Sequence, residues 1–150
     1  MAAIAGVYRA AATAGVLTWG VVAASILVGV GLMATPVVLL NIKGADEAGH
    51  DGKGIQKRDF IEVIDAALEP LLDREDILLV VCADHSTPCS IKDHSADPVP
   101  VVIRGPGVRV DRVRRFDEVS CAEGGLHRIR GSDLMPIIMD LINKSHKYGA

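Results

Sequence analysis

The 150-residue chain is long enough for about one domain with a real core. Its formal charge of -3 creates no basic field, which excludes nucleic acid as an expected partner. Aromatic residues are limited to Tyr8, Trp19, Phe60, Phe116 and Tyr148, so the core is expected to be aliphatic; Cys82, Cys89 and Cys121 lack Cys-x-x-Cys spacing, fit a reducing compartment and read as small buried hydrophobes rather than as a disulfide scaffold or zinc ribbon.

Residues 10–42 carry no charged side chain, whereas charges are dense from Lys43 onward. The stretch ATAGVLTWGVVAASILVGVGLM, with Arg9 before it, is long enough to cross a bilayer. Two readings of residues 1–35 therefore compete. Composition by itself favours a membrane segment or signal anchor. The interruption at Thr35-Pro36, followed by the strand-like PVVLLNIK, favours a helix and strand buried in a soluble α/β domain. The soluble reading is preferred and the membrane reading is kept second.

From residue 36 to 150 strands and helices alternate. GADEAGHDGKG reads as a loop after the first strand. IQKRDFIEVIDAALEPLLDRE predicts an amphipathic helix, with Phe60, Ile61, Ile64, Leu68, Leu71 and Leu72 on its apolar stripe. DILLVVCAD and VPVVIRG predict two further strands, and Gly105-Pro106-Gly107 a turn. A final helix is expected over DLMPIIMDLINKS, capped by Ser132, with Asp133 in its first turn, Pro136 tolerated near its start and Lys144 in its last turn. This alternation predicts an α/β fold with a mostly parallel sheet flanked by helices.

In such sheets ligands gather beyond the carboxyl ends of the strands. Asp46 and His50 follow the first strand, Asp84 and His85 follow the second, and Asp93 and His94 precede the third. Carboxylate oxygens mixed with imidazole nitrogens suit Zn²⁺, Mn²⁺ or Fe²⁺. Asp84 and His85 are adjacent, and in an extended backbone their side chains diverge, so two nearby ions sharing the loop suit the pair better than one. Asp51, Asp93, Asp97, His127 and His146 read as ordinary caps or surface hydrogen bonders.

The strings KGADEAGHDG, CADHSTPCSIKDHSADPVPVVIRGPGVRVD, FDEVSCAEGGLHRIRGSDLMPIIMDLINKS and KYGA resemble the C-terminal part of archaeal-type cofactor-independent phosphoglycerate mutases, in the alkaline phosphatase superfamily. The resemblance covers about residues 36–150. It implies an alkaline-phosphatase-like core, here incomplete, with one metal held by Asp46, His50 and His94 and a second by Asp84 and His85. It also implies interconversion of 2-phosphoglycerate and 3-phosphoglycerate, a glycolytic isomerisation in the cytoplasm, through a phosphoserine intermediate, with manganese as the expected metal and zinc the alternative. The family's nucleophilic serine, a further aspartate ligand and the cap domain belong to a part not matched here. No catalytic nucleophile is therefore assigned, and the 150-residue chain is expected to be inactive alone. Lys43, Arg128 and Arg130 are candidates for holding anionic substrate, weighed evenly against plain surface charge. The alternatives are a related metal-dependent phosphatase or phosphonate hydrolase, and a membrane-anchored, non-catalytic remnant.

Overall fold

In a computed structural model of the protein, the described residues are 24–29, for the backbone alone, and 37–146. They fall into two compact units, one within Met1–Leu72 and Thr87–Ser95, the other within Asp73–Ser86 and Ala96–Ala150.

In the first unit, β1 (Ala24–Gly29) pairs antiparallel with β2 (Val37–Ile42), with Ala24 opposite Ile42 and Gly29 opposite Val37. The β-branched and leucine side chains of β2 suit a pleated backbone. The strand is not the doubly buried one expected, because Val37, Val38 and Leu39 are exposed. The competing membrane and buried-helix readings of residues 10–35 lie outside the described residues, except for the strand at Ala24–Gly29. No helix among the described residues is long and apolar enough to cross a membrane.

Residues expected to form a loop instead make a helix, α1 (Gly44–His50). Their two glycines and three polar side chains carry a loop composition, but this helix is held by packing on α2 (Gly54–Leu72). Phe60, 1% exposed, supplies that contact. A Cβ at Gly44 would stand 2.5 Å from the Phe60 ring, so the first turn of α1 rests on the aromatic face. The helix ends in a Schellman motif: Gly52 N–H donates to the Gly49 carbonyl, Lys53 N–H donates to that of Ala48, and Gly52 takes φ +70°.

Along α2 the inward stripe is Phe60, Val63, Ile64, Ala67, Leu68 and Leu71. Ile61 and Leu72, expected on it, are exposed because the stripe follows i, i+3, i+4, i+7, which places both outside its arc. Among the described residues Ala48, Phe60 and Ala67 are the buried apolar side chains, all from this helix pair.

In the second unit, β3 (Leu79–Cys82) pairs antiparallel with β4 (Val101–Arg104). The mixed α/β class stands, but both described ladders are antiparallel, correcting the expected parallel pairing. A parallel pair needs a long crossover, usually helical, between its strands. β1 and β2 follow one another closely, and no helix lies between β3 and β4, so each chain returns alongside itself. The turn at Gly105-Pro106-Gly107 forms as expected, with Val108 N–H donating to the Gly105 carbonyl and Gly107 at φ +77°.

A short helix that the sequence reading missed, α3 (Glu118–Ala122), is capped by Asp117, whose carboxylate accepts from Ser120 N–H at 2.7 Å. The last helix, α4 (Gly131–Leu141), starts earlier than expected, and Ser132 lies inside it rather than capping it. Asp133 reaches back instead, accepting from Arg130 N–H at 2.9 Å. Lys144 lies past the last turn and closes a second Schellman motif, its N–H donating to the Met139 carbonyl while Asn143 takes φ +56°. The cysteines are half-buried or exposed rather than core residues, and none forms a disulfide.

Candidate metal centre

Asp46 and His50 are four residues apart on α1, so the helical period puts both side chains on one face. His94 comes from the segment Thr87–Ser95 of the same unit. Three atoms meet there. His50 Nε2 lies 3.2 Å from His94 Nε2 and 3.5 Å from Asp46 Oδ1, and His94 Nε2 lies 3.9 Å from that same oxygen. The two rings are tilted by 50° with centroids 5.0 Å apart, so their nitrogen edges face each other without stacking.

The triangle formed by these three atoms tests whether a metal ion fits. The point equidistant from corners 3.2, 3.5 and 3.9 Å apart lies about 2.1 Å from each, the length of a zinc bond to imidazole nitrogen or carboxylate oxygen.

Hydrogen bonding fixes the ring chemistry. His50 Nδ1 stands 3.1 Å from the Lys92 carbonyl, which can only accept, so Nδ1 carries the proton. In the neutral ring this leaves Nε2 as a lone pair directed toward Asp46 and His94, the tautomer a metal-ligating histidine needs. Lys92 offers that carbonyl from the left-handed region, at φ +58°, a conformation costing a non-glycine residue about 1–2 kcal/mol. The turn in which Lys92 N–H donates to the Pro88 carbonyl holds it there.

Asp46 is anchored in turn. The buried Thr87 donates from Oγ1 to Asp46 Oδ1 at 2.6 Å, and the Thr87 carbonyl accepts from Lys57 Nζ at 2.7 Å. Sequence reasoning missed Thr87, Lys57 and the Lys92 carbonyl. A threonine between a ligand-like Asp-His pair and a proline was the available signal for the first, whereas a backbone carbonyl leaves none.

Asp84 and His85 lie in the second unit, just past β3. Their side chains do not diverge as expected. His85 Nε2 is 3.6 Å from Asp84 Oδ2, and His85 N–H contacts Asp84 Oδ1 at 3.2 Å. The strand ends at Cys82, so the alternation of extended backbone no longer applies at these two positions. Partial burial of the thiol, and then the Asp84 charge, push the Cys82 thiol pKa up.

The model of the metalloenzyme superfamily matches residues 26–141. The chain belongs to that superfamily. Membership implies divalent-metal binding, in keeping with the oxygen and nitrogen donors gathered on α1 and at His94. This superfamily member is 86% identical over 113 residues, 75% of the chain, to the 2,3-bisphosphoglycerate-independent phosphoglycerate mutase of Methanoculleus marisnigri. It is 67% identical over 79% of its length to the protein of that name from Methanosphaerula palustris. These alignments span only 28% and 30% of the two relatives. Among solved structures, the PH0037 protein from Pyrococcus horikoshii is similar at 48% identity and a TM-score of 0.67, over 71% of this chain and 33% of that one.

Proposed function

We propose that the chain carries the metal-binding part of a 2,3-bisphosphoglycerate-independent phosphoglycerate mutase, an isomerase interconverting 2-phosphoglycerate and 3-phosphoglycerate. The relatives' names support the reaction. The observation that carries the reading is the convergence of Asp46, His50 and His94, with the His50 tautomer set by the Lys92 carbonyl.

In this reading Asp46, His50 and His94 hold one divalent ion, and Asp84 and His85 contribute to a second. When bound, such ions supply Lewis-acid charge to phosphoryl oxygens and activate a coordinated nucleophile. The chain's own contribution is positional. α1 presents Asp46 and His50 one turn apart, Thr87 fixes the carboxylate, and the Lys92 carbonyl keeps the proton on the far side of the His50 ring. Manganese is the proposed metal; oxygen and nitrogen donors accept zinc as well. Arg128 and Arg130, in the second unit, and Lys43, at the start of α1, are proposed at most as anion-holding side chains. The proposed location is the cytoplasm.

Metal content and calorimetric titration with Mn²⁺ and Zn²⁺ test the reading, with His50→Ala and Asp84→Ala as the first variants. The wild-type chain is expected to take up metal, and each variant to lose one ion. A wild-type chain that stays metal-free in both titrations overturns the proposal. The chain by itself is expected to give no mutase turnover, and robust turnover would show that it needs no nucleophile from elsewhere. A related metal-dependent phosphatase or phosphonate hydrolase shares this donor set; release of free phosphate from a phosphate ester without isomerisation would select it.

A further inference from the structure

We propose that Thr87 is a positioning residue for Asp46, and that its hydroxyl, rather than its bulk, sets the metal affinity of the first unit. The inference rests on the metal reading above and adds a residue to it.

Thr87 is the buried polar residue among those described, at 3% exposure. Its hydroxyl, carbonyl and methyl each have a close neighbour. The hydroxyl donates to Asp46 Oδ1 at 2.6 Å, a charge-assisted bond of the short, strong kind. The carbonyl accepts from Lys57 Nζ on α2 at 2.7 Å. The methyl and the carbonyl lie against α1 at Gly49, where an added Cβ would stand 2.5 Å from the Thr87 carbonyl oxygen and 2.9 Å from Cγ2. Gly49 is thus the residue that lets helix and loop approach to backbone distance, and Lys57 holds the loop against that surface.

The consequence falls on one oxygen. An aspartate's terminal torsion is broad, so an unanchored carboxylate samples many orientations. Oδ1 of Asp46 accepts the Thr87 proton and also faces both imidazole nitrogens, 3.5 and 3.9 Å away. The hydroxyl therefore selects the orientation in which this oxygen completes the triangle with His50 and His94. Losing such an outer-shell partner typically weakens metal binding about 10–100-fold.

The test compares Thr87→Val, which keeps the shape and removes the hydroxyl, with Thr87→Ser, which keeps the hydroxyl and removes the methyl. Mn²⁺ affinity of the full 150-residue chain is measured by calorimetry, and folding by circular dichroism melting without metal. The expected result is a loss of about 10–100-fold for Thr87→Val and near wild-type affinity for Thr87→Ser. Equal affinity of wild type and Thr87→Val overturns this inference and leaves the metal reading standing. Equal weakening in both variants, with matching losses of melting temperature, overturns it in favour of simple packing. A wild-type chain that binds no ion overturns both.

Discussion

Asp46 in the first unit and Asp111 in the second each accept a short hydrogen bond, yet the two carboxylates are used differently. Asp111 accepts from the Val113 and Gly125 backbone N–H groups, both at 2.8 Å, and Asp117 is likewise occupied by Ser120 through its N–H and its hydroxyl. These contacts hold both acids below the usual carboxylate range, the backbone hydrogen bonds being the leading cause. Donors satisfy these oxygens, and each carboxylate closes a loop or a helix end. Asp46 accepts from the Thr87 hydroxyl and faces two imidazoles, that of His50 with its lone pair directed inward in the neutral ring. A cation or a shared proton suits lone pairs that face one another in this way. The difference teaches that a ligand-like cluster is recognised by ligand atoms from separate segments converging on one point, not by the density of acidic groups.

That contrast can be broken at several points. The largest effect is expected from Phe60→Ala, which removes the aromatic support of both helices carrying the first unit. A loss of about 3–5 kcal/mol is expected in urea unfolding. Phe60→Leu should retain most of the stability, and an unchanged midpoint for the alanine variant would show that α1 does not depend on this contact.

Next comes His50→Ala, set against Asp117→Ala. The first should weaken Mn²⁺ binding by at least about 100-fold, beyond the range for outer-shell partners, with little change in melting. The second should lower the melting temperature modestly and leave metal uptake untouched. A metal defect in Asp117→Ala would erase the distinction between the two carboxylate types.

Gly49→Ala should cost about 1–3 kcal/mol through overpacking against Thr87, and should weaken metal binding in parallel as the loop is pushed away from Asp46. Full metal affinity in this variant would mean that the loop yields without moving the carboxylate.

The smallest effect is a pH dependence of two loop and cap contacts in the second unit. Because the folded-state pKa values of Asp111 and Asp117 lie below their ordinary 3.8, the stabilisation from these acids is fully present above that value. It is lost as pH falls through the depressed folded values. Protection of the Val113, Ser120 and Gly125 amides against exchange, relative to the intrinsic rate at each pH, should therefore fall under acid, and Asp111→Asn with Asp117→Asn should flatten the response. An identical acid profile in the double variant would refute the assignment.

Much of this was legible in the chain itself. β2, β3, β4, α2 and α4 follow from apolar runs, apolar period and turn residues, because each regular backbone sets its side chains at a fixed repeat. Asp46 and His50 were legible as a pair from ligand type, though not as helix partners, since the glycines of GADEAGHDG signal a loop until Phe60 supplies a surface for them. The antiparallel pairing was not legible, because period reports which face of a strand is apolar but not which neighbour its backbone finds.

The sequence by itself determined the donor chemistry: carboxylates and imidazoles without a thiolate cluster, placed at strand ends. Only the tertiary structure decided that His94, more than forty residues away, turns its Nε2 to that pair, and that Thr87 and the Lys92 carbonyl fix one oxygen and one proton. The physical reason is that residue type sets which atoms can share a cation. The close approach of separate segments, permitted at Gly49 by the lack of a side chain, sets whether those atoms stand within one bond length of a common point.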